Sequence, residues 1–376
     1  MRFFLLSIYG QIFLNTYIIW HVYPVLPRKR TLRVPFIVFF VLELLLFFTG
    51  YFCYKDLPDH ILYPIMMVCN TWYIASIYIS FGLLWLDLVK VLIRKVRLKT
   101  IEIDKSQWKK VQIGYFCFLI VFVTGLMIKA YHNAIYPEIR HVNIHIPKEV
   151  EGRDSLTIVL MSDLHIGETI GKRNVQRFVE LCNAEQPDMV VIAGDMLDYE
   201  SRDAEKNSIE EDLQRLNASL GVYMVLGNHE YRANRFAKFR WFEKTGGILL
   251  VDSVVMPDSS FYLIGRDDVI NTERASLETL MQDVDRSKPV IVVEHQPNFA
   301  EDIIKNQCDL GLFGHTHNGQ YWPFSLLLKL VFKFSNGYYS RENAHIYISS
   351  GIGFAGPPYR VGTRSELVVI KLTMNN

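Results

Sequence analysis

Four apolar segments crowd the first third of this 376-residue chain. They cover about residues 3–22, 34–54, 61–89 and 111–130. A helix needs ~20 consecutive apolar residues to span the hydrocarbon of a bilayer. Buried core helices of a soluble protein do not come four in succession with basic residues bunched between them. Residues 1–130 are therefore read as a transmembrane region of four helices. The first segment follows a single Arg2 and ends without a small-x-small cleavage site, so it is expected to be retained.

Charge orients the bundle. Arg28, Lys29, Arg30 and Arg33 lie between the first two segments. Lys90, Arg94, Lys95, Arg97, Lys99, Lys105, Lys109 and Lys110 lie between the last two. Between the second and third stands only Lys55, beside Asp56 and Asp59. Lys and Arg excess marks the cytoplasmic side. The expectation is a multi-pass protein of the cell (inner or plasma) membrane, in contact with membrane lipids. Its amino terminus and everything after the fourth helix would lie outside the cytoplasm. Two acids, Glu43 and Asp87, fall within the apolar segments and are read as protonated or paired groups facing the bundle interior. The net charge of +1 gives no electrostatic case for nucleic acid, and none is expected as a partner.

From about Ile139 the pattern changes to strand-like runs alternating with helical stretches. His141 and His145, on one face of the first run, read as surface residues. Five later runs share a property. Leu156–Met161 leads into Ser162-Asp163-Leu164-His165, and Met189–Ala193 into Gly194-Asp195-Met196-Leu197-Asp198. Val222–Leu226 leads into Gly227-Asn228-His229-Glu230, Val290–Val293 into Glu294-His295, and Leu310–Phe313 into Gly314-His315-Thr316-His317. In open α/β sheets, sites form outside the carboxyl ends of strands. Five metal-capable clusters, each at a strand end, therefore belong on one rim. Gly194, Gly227 and Gly314 suit turns where a Cβ would crowd a neighbour.

The clusters supply Asp163, His165, Asp195, Asn228, His295, His315 and His317. If one carboxylate bridges, two metals receive four protein ligands each. Mixed imidazole, carboxylate and amide donors suit manganese, iron or zinc and argue against an all-oxygen calcium cage. Two such divalent ions can polarise a phosphoryl oxygen and activate water. The five cysteines include no Cys-x-x-Cys pair; Cys182 and Cys308 read as small buried side chains without a disulfide.

Asp-x-His, Gly-Asp-x-x-Asp, Gly-Asn-His-Glu, a lone His and Gly-His-Thr-His, in that order, resemble the calcineurin-like metallophosphoesterase superfamily. With the membrane segments and the stretch Gly351–Arg360, the chain is similar to its membrane-anchored bacterial phosphodiesterase branch. The resemblance implies an α/β domain over 139–376, built of two packed mixed β-sheets flanked by helices. It implies one metal on Asp163, His165 and His317, a second on Asn228, His295 and His315, and Asp195 as the bridge. His229 would be the catalytic acid, and Asp198 would orient a ligand. Asn318 departs from the branch, where many members carry Gly.

Two further stretches leave options open. Arg266, Asp267 and Asp268 could touch substrate or form a plain polar turn. In Tyr321–Phe334, a helix would carry Ser325, Lys329 and Lys333 as one polar stripe on an otherwise apolar surface. Such a helix either dips into the membrane interface or covers the sheet, and the first option points to a lipid-linked substrate. The expected function is a membrane-anchored, dinuclear-metal phosphohydrolase. It would be a phosphodiesterase, cleaving a phosphoester by in-line attack of a metal-bridging hydroxide. The rivals are a pyrophosphatase of the lipid A pathway type, cutting a nucleotide-linked acyl sugar, and a metal-binding membrane sensor or scaffold without turnover.

Overall fold

The computed structural model describes residues 2–53, 57–95, 105–148, 150 and 152–374. Lys55, Asp56, Arg97 and Lys99, used above to orient the loops, lie outside the described residues. The chain divides into two compact units, Met1–Lys129 and Ala130–Asn376.

The first unit holds α1 (Arg2–Val22), α2 (Arg30–Phe52), α3 (Asp59–Lys95) and most of α4 (Lys105–Ile135). Among the described residues, three helices are long and apolar enough to cross a membrane, over Arg30–Gly50, His60–Ile93 and Ser106–Ile135. At 21 residues, α1 has the length of a span. Gln11, Asn15, Thr16 and His21 interrupt its apolar run. Thr16 is exposed and donates back to Ile12 O at 2.7 Å, whereas the other three have partners inside the bundle. Gln11 and Asn15 donate to the two carboxylate oxygens of buried Glu43 at 3.0 and 2.7 Å. Trp72 Nε1 donates to Asn15 Oδ1 at 2.9 Å. Asp87 accepts from Tyr17 at 3.0 Å and meets His21 Nε2 at 2.7 Å and Lys90 Nζ at 2.9 Å. Both acids are thus paired, as an apolar surrounding demands. Large apolar side chains such as Val41, Leu45, Leu84, Phe118 and Val121 point outward.

The second unit is built from two six-stranded mixed sheets. The strands of one are β1 (Glu138–Ile146), β2 (Ser155–Met161), β3 (Met189–Ala193), β4 (Val222–Val225), β5 (Ile248–Leu250) and β12 (Glu366–Met374), in the order β1-β12-β2-β3-β4-β5. The other holds β6 (Ser253–Val255), β7 (Tyr262–Gly265), β8 (Val290–Val293), β9 (Leu310–Phe313), β10 (Gly337–Arg341) and β11 (Ala344–Ile348), in the order β10-β11-β9-β8-β7-β6. Helices α5 (Lys172–Ala184), α6 (Arg202–Lys206), α7 (Ile209–Leu213), α8 (Arg235–Glu243), α9 (Leu277–Leu280), α10 (Glu301–Lys305) and α11 (Phe324–Val331) join them.

Strand alternation builds the layers. Leu156, Ile158 and Leu160 of β2 pack between the sheets with Met189, Val191, Ile291, Val293, Leu310 and Leu312. Val159 and Met161, on the opposite face of β2, pack under α5 with Val175, Phe178 and Val179. Each fully buried side chain of this kind contributes about 1.5–3 kcal/mol. Those three α5 residues and Cys182 form one buried stripe at helical spacing. Asn234 caps α8, its Oδ1 accepting from Ala237 N at 3.1 Å. Cys182 and Cys308 are buried in separate clusters and free. Strands β2, β3 and β4 run parallel, as do β8 and β9, so their carboxyl ends open on a shared rim.

Candidate metal centre

The rim gathers the side chains that follow the five strands. His165 Nε2 lies 3.1 Å from His317 Nε2, and His317 Nε2 lies 3.4 Å from Asp163 Oδ1. His295 Nε2 lies 3.1 Å from Asp195 Oδ2 and 3.2 Å from Asn228 Oδ1. Asp163, His165 and His317 form one donor group, and Asp195, His295 and His315 a second. Asp195 stands between them, its Oδ2 also 3.8 Å from His165 Nε2. Asp163, His165, Asp195, Asn228, His295 and His317 are buried, and His315 is half-buried.

Backbone conformation holds these groups in place. Asp163, His165, Asp195, His315 and His317 all have positive φ, between 48° and 73°. Residues other than glycine rarely adopt that region, and such strain concentrates at functional sites. Asn318 shares it, with φ 49° and ψ 34°. Asn tolerates this conformation, which accounts for its standing where a glycine is usual. The loops are stitched together: Asp163 N–H donates to Gly194 O, His165 N–H to Asp195 O, and His315 N–H to the Asp163 carboxylate, at 3.0–3.1 Å. An added Cβ at Gly227 would overlap Asp195 Oδ1, and one at Gly314 would lie 2.6 Å from Asp163 Oδ2.

Hydrogen bonds settle ring orientation. His295 Nδ1 sits 2.8 Å from Ala193 O, and a carbonyl only accepts, so Nδ1 carries a proton and Nε2 is the ring atom that faces Asp195 and Asn228. Asp198 Oδ1 lies 3.3 Å from His165 Nδ1 and 3.1 Å from His229 Nδ1, so one carboxylate orients two imidazoles. His229 Nδ1 is also 2.5 Å from Asp198 O, leaving Nε2 turned toward Asp195 Oδ2 at 3.9 Å.

The charge balance fits cations. Burial opposes ionisation of Asp195, but His295, then His165 and His229, hold its pKa well below the usual carboxylate value. Burial opposes protonation of His295, yet Asp195, with Asp163 and Asp268 adding to it, raises its pKa to about 10. His315 goes the other way: burial and then His295 lower it to about 4. The buried carboxylates thus draw positive charge to the centre. Two donors on one metal at about 2.1 Å stand roughly 3.0–3.4 Å apart. The 3.1 Å His165–His317, 3.1 Å His295–Asp195 and 3.2 Å His295–Asn228 separations fall in that range. Two facing imidazole nitrogens and converging carboxylates therefore suit divalent cations.

Several supporting contacts are visible only in three dimensions. Glu230 accepts from Gly227 N at 2.7 Å, Asp195 N at 2.9 Å and Leu197 N at 3.2 Å, joining two donor-bearing loops. Arg232 NH1 lies 2.8 Å from His229 Nε2. Its only sequence signal was standing three residues after that histidine. Fully buried Arg360 places its guanidinium 3.1 Å from both His317 O and His317 Nδ1. Arg266, Asp267 and Asp268 are buried, not exposed to a substrate: they hold Glu294, Tyr231 and Gln296 respectively. His141 and His145 pair with Glu185 and Thr373 at the surface, away from the rim.

The calcineurin-like phosphoesterase family profile matches residues 156–319, which span all five clusters. An uncharacterized metallophosphoesterase of Campylobacter jejuni is 31% identical over 81% of this chain and 82% of its own length. A counterpart from Helicobacter pylori is 31% identical over 70% of this chain and 71% of its own length. A Danio rerio protein described as a transmembrane protein with metallophosphoesterase domain is 28% identical over 84% and 75%. The chain belongs to the calcineurin-like metallophosphoesterase family and is a metal-dependent phosphoester hydrolase with a membrane-associated N-terminal region.

Proposed function

We propose that the chain is a membrane-anchored phosphodiesterase with a dinuclear centre. Asp163, His165 and His317 would hold one divalent ion, Asn228, His295 and His315 the other, and Asp195 both. The observation that carries this reading is Asp195 standing between two donor groups, 3.1 Å from His295 and 3.8 Å from His165. When bound, two ions of the manganese, iron or zinc type supply charge neutralisation for the phosphoryl group and activation of water. His229 Nε2, which accepts from Arg232 in this structure, faces the same space; once protonated there, His229 would donate that proton to the leaving oxygen. Asp198 keeps that imidazole oriented, and Arg232 beside it would meet a phosphoryl oxygen. We take residues 1–130 as the membrane region, with α1 as a fourth span, and 139–376 as the catalytic domain.

Chelated protein is expected to be inactive and to regain turnover of bis(p-nitrophenyl) phosphate with Mn²⁺, Fe²⁺ or Zn²⁺. Its kcat/KM for that diester should exceed the value for p-nitrophenyl phosphate by about tenfold or more. Preference for the monoester would overturn the diesterase assignment, and turnover in chelator would overturn the metal centre.

Basic residues around the start of α2, the end of α3 and the start of α4 support an extracytoplasmic catalytic domain. A periplasmic-type reporter fused after Asn376 is expected to be active, and a matched fusion near Lys99 silent. The reverse pattern would invert the topology and open the site to cytosolic nucleotide-linked substrates.

A further inference from the structure

Helix α11 follows the His315–His317 loop and has no buried residue. Leu330 and Val331 are 83% and 73% exposed, and Trp322, Phe324, Leu326 and Leu327 each about half. A contiguous apolar surface of this kind marks an interaction face. Both ends of the helix are tied to the candidate centre. An added Cβ at Gly319 would lie 2.5 Å from Ser325 N, so the loop backbone already touches the first turn. At the far end, the Phe332 ring lies 6.3 Å from the His315 ring, edge-on. Trp322 N–H donates to Val361 O and Phe324 N–H to Tyr321 O, each at 2.8 Å. The polar stripe is shorter than the sequence implied. Lys333 lies beyond the helix and pairs with Glu301, leaving Lys329 as the exposed cation on α11.

Among the described residues, three helices of the same chain are long and apolar enough to cross a bilayer, so the domain that carries this face is tethered to a lipid phase. Trp322 at its start and Lys329 along it are residue types that favour the headgroup level. We propose that α11 lies in the headgroup–acyl boundary and that the centre hydrolyses phosphoesters of membrane-resident amphiphiles. This rests on the metal-dependent phosphohydrolase reading above. A helix about 10 Å across, sunk ~5–10 Å into that boundary, brings the attached loop to the depth of lipid phosphates. In the reaction the oxygen of water joins phosphorus and the P–O bond to the alcohol breaks. The alcohol oxygen takes up a proton, and the phosphate stays on the other product.

The test uses the full chain, metal-loaded, in phosphatidylcholine nanodiscs. The probes are dissolved bis(p-nitrophenyl) phosphate and the p-nitrophenyl ester of dioleoyl phosphatidic acid held in the disc. Leu327→Ser/Leu330→Ser changes two exposed side chains, so folding should be unaffected. The variant is expected to keep wild-type turnover of the dissolved probe and lose about tenfold or more on the lipid probe. Leu330→Trp, which restores an interfacial side chain, should keep both. Equal loss on both probes would make α11 a support for the centre and overturn the proposal. No loss on either would do the same, whether or not the variant changes oligomeric size. A wild-type protein active on the dissolved probe alone would exclude the amphiphile substrate. One inactive on both would instead overturn the parent reading.

Discussion

Replacing Asp195 by Asn is expected to lower turnover of bis(p-nitrophenyl) phosphate by about 10³-fold or more while the domain stays folded. Asp195 Oδ2 reaches a side chain of each donor group, His295 at 3.1 Å and His165 at 3.8 Å, and amide nitrogen cannot substitute for its second oxygen. His317→Ala removes a side chain from one group only. Metal analysis of the two purified variants separates these roles. Wild type should hold two ions per chain, His317→Ala about one, and Asp195→Asn less than one. Full activity in either variant, or two ions in Asp195→Asn, would overturn the dinuclear arrangement.

Glu230→Ala should cost about 3 kcal/mol or more, as a fall in the thermal midpoint of the catalytic domain. The buried carboxylate accepts from Gly227 N, Asp195 N and Leu197 N, and alanine would leave all three donors unpaired. Burial first and then Asp195 raise the Glu230 pKa, while Lys238 and the backbone donors oppose that rise. Lys238, which donates to His229 O at 2.6 Å, would lose a compensating charge nearby. Glu230→Gln keeps one acceptor oxygen and should fall between the two. A role confined to packing would give Gln and Ala the same midpoint and leave metal content unchanged in both. The clamp described here requires metal content to fall with the midpoint, because it fixes the loops that carry Asp195 and Asn228.

The five strands ahead of the clusters were legible because each is an apolar run ending abruptly at polar residues. That contrast is local, and it marks both the strand and its carboxyl end. The seven candidate side chains follow those ends, and the fold gathers Asp163, His165 and His317 in one group and Asp195, His295 and His315 in another, with Asn228 Oδ1 3.2 Å from His295. Strand β12 was not singled out. Its pattern is ordinary, and its central place depends on β1 and β2, more than two hundred residues earlier. The Arg266–Asp268 turn was undecidable because its partners Glu294, Tyr231 and Gln296 come from other loops. The double hold of Asp198 on His165 and His229 needed two separate strand ends to meet. For α11 the apolar character was plain, but the tie of Phe332 to His315 and of Lys333 to Glu301 was not.

Strand order also sets a timetable for biosynthesis. β12 lies between β1 and β2, parallel to one and antiparallel to the other, yet it is the last strand to be made. Until it emerges, β1 has no neighbour in its sheet, and β2 presents one open edge. The loop after β2, which carries Asp163 and His165, is then anchored from one side only. Cation capture is therefore expected to come late, after the polypeptide has delivered β12, so that a nascent chain halted before Glu366 would be folded in part but catalytically silent.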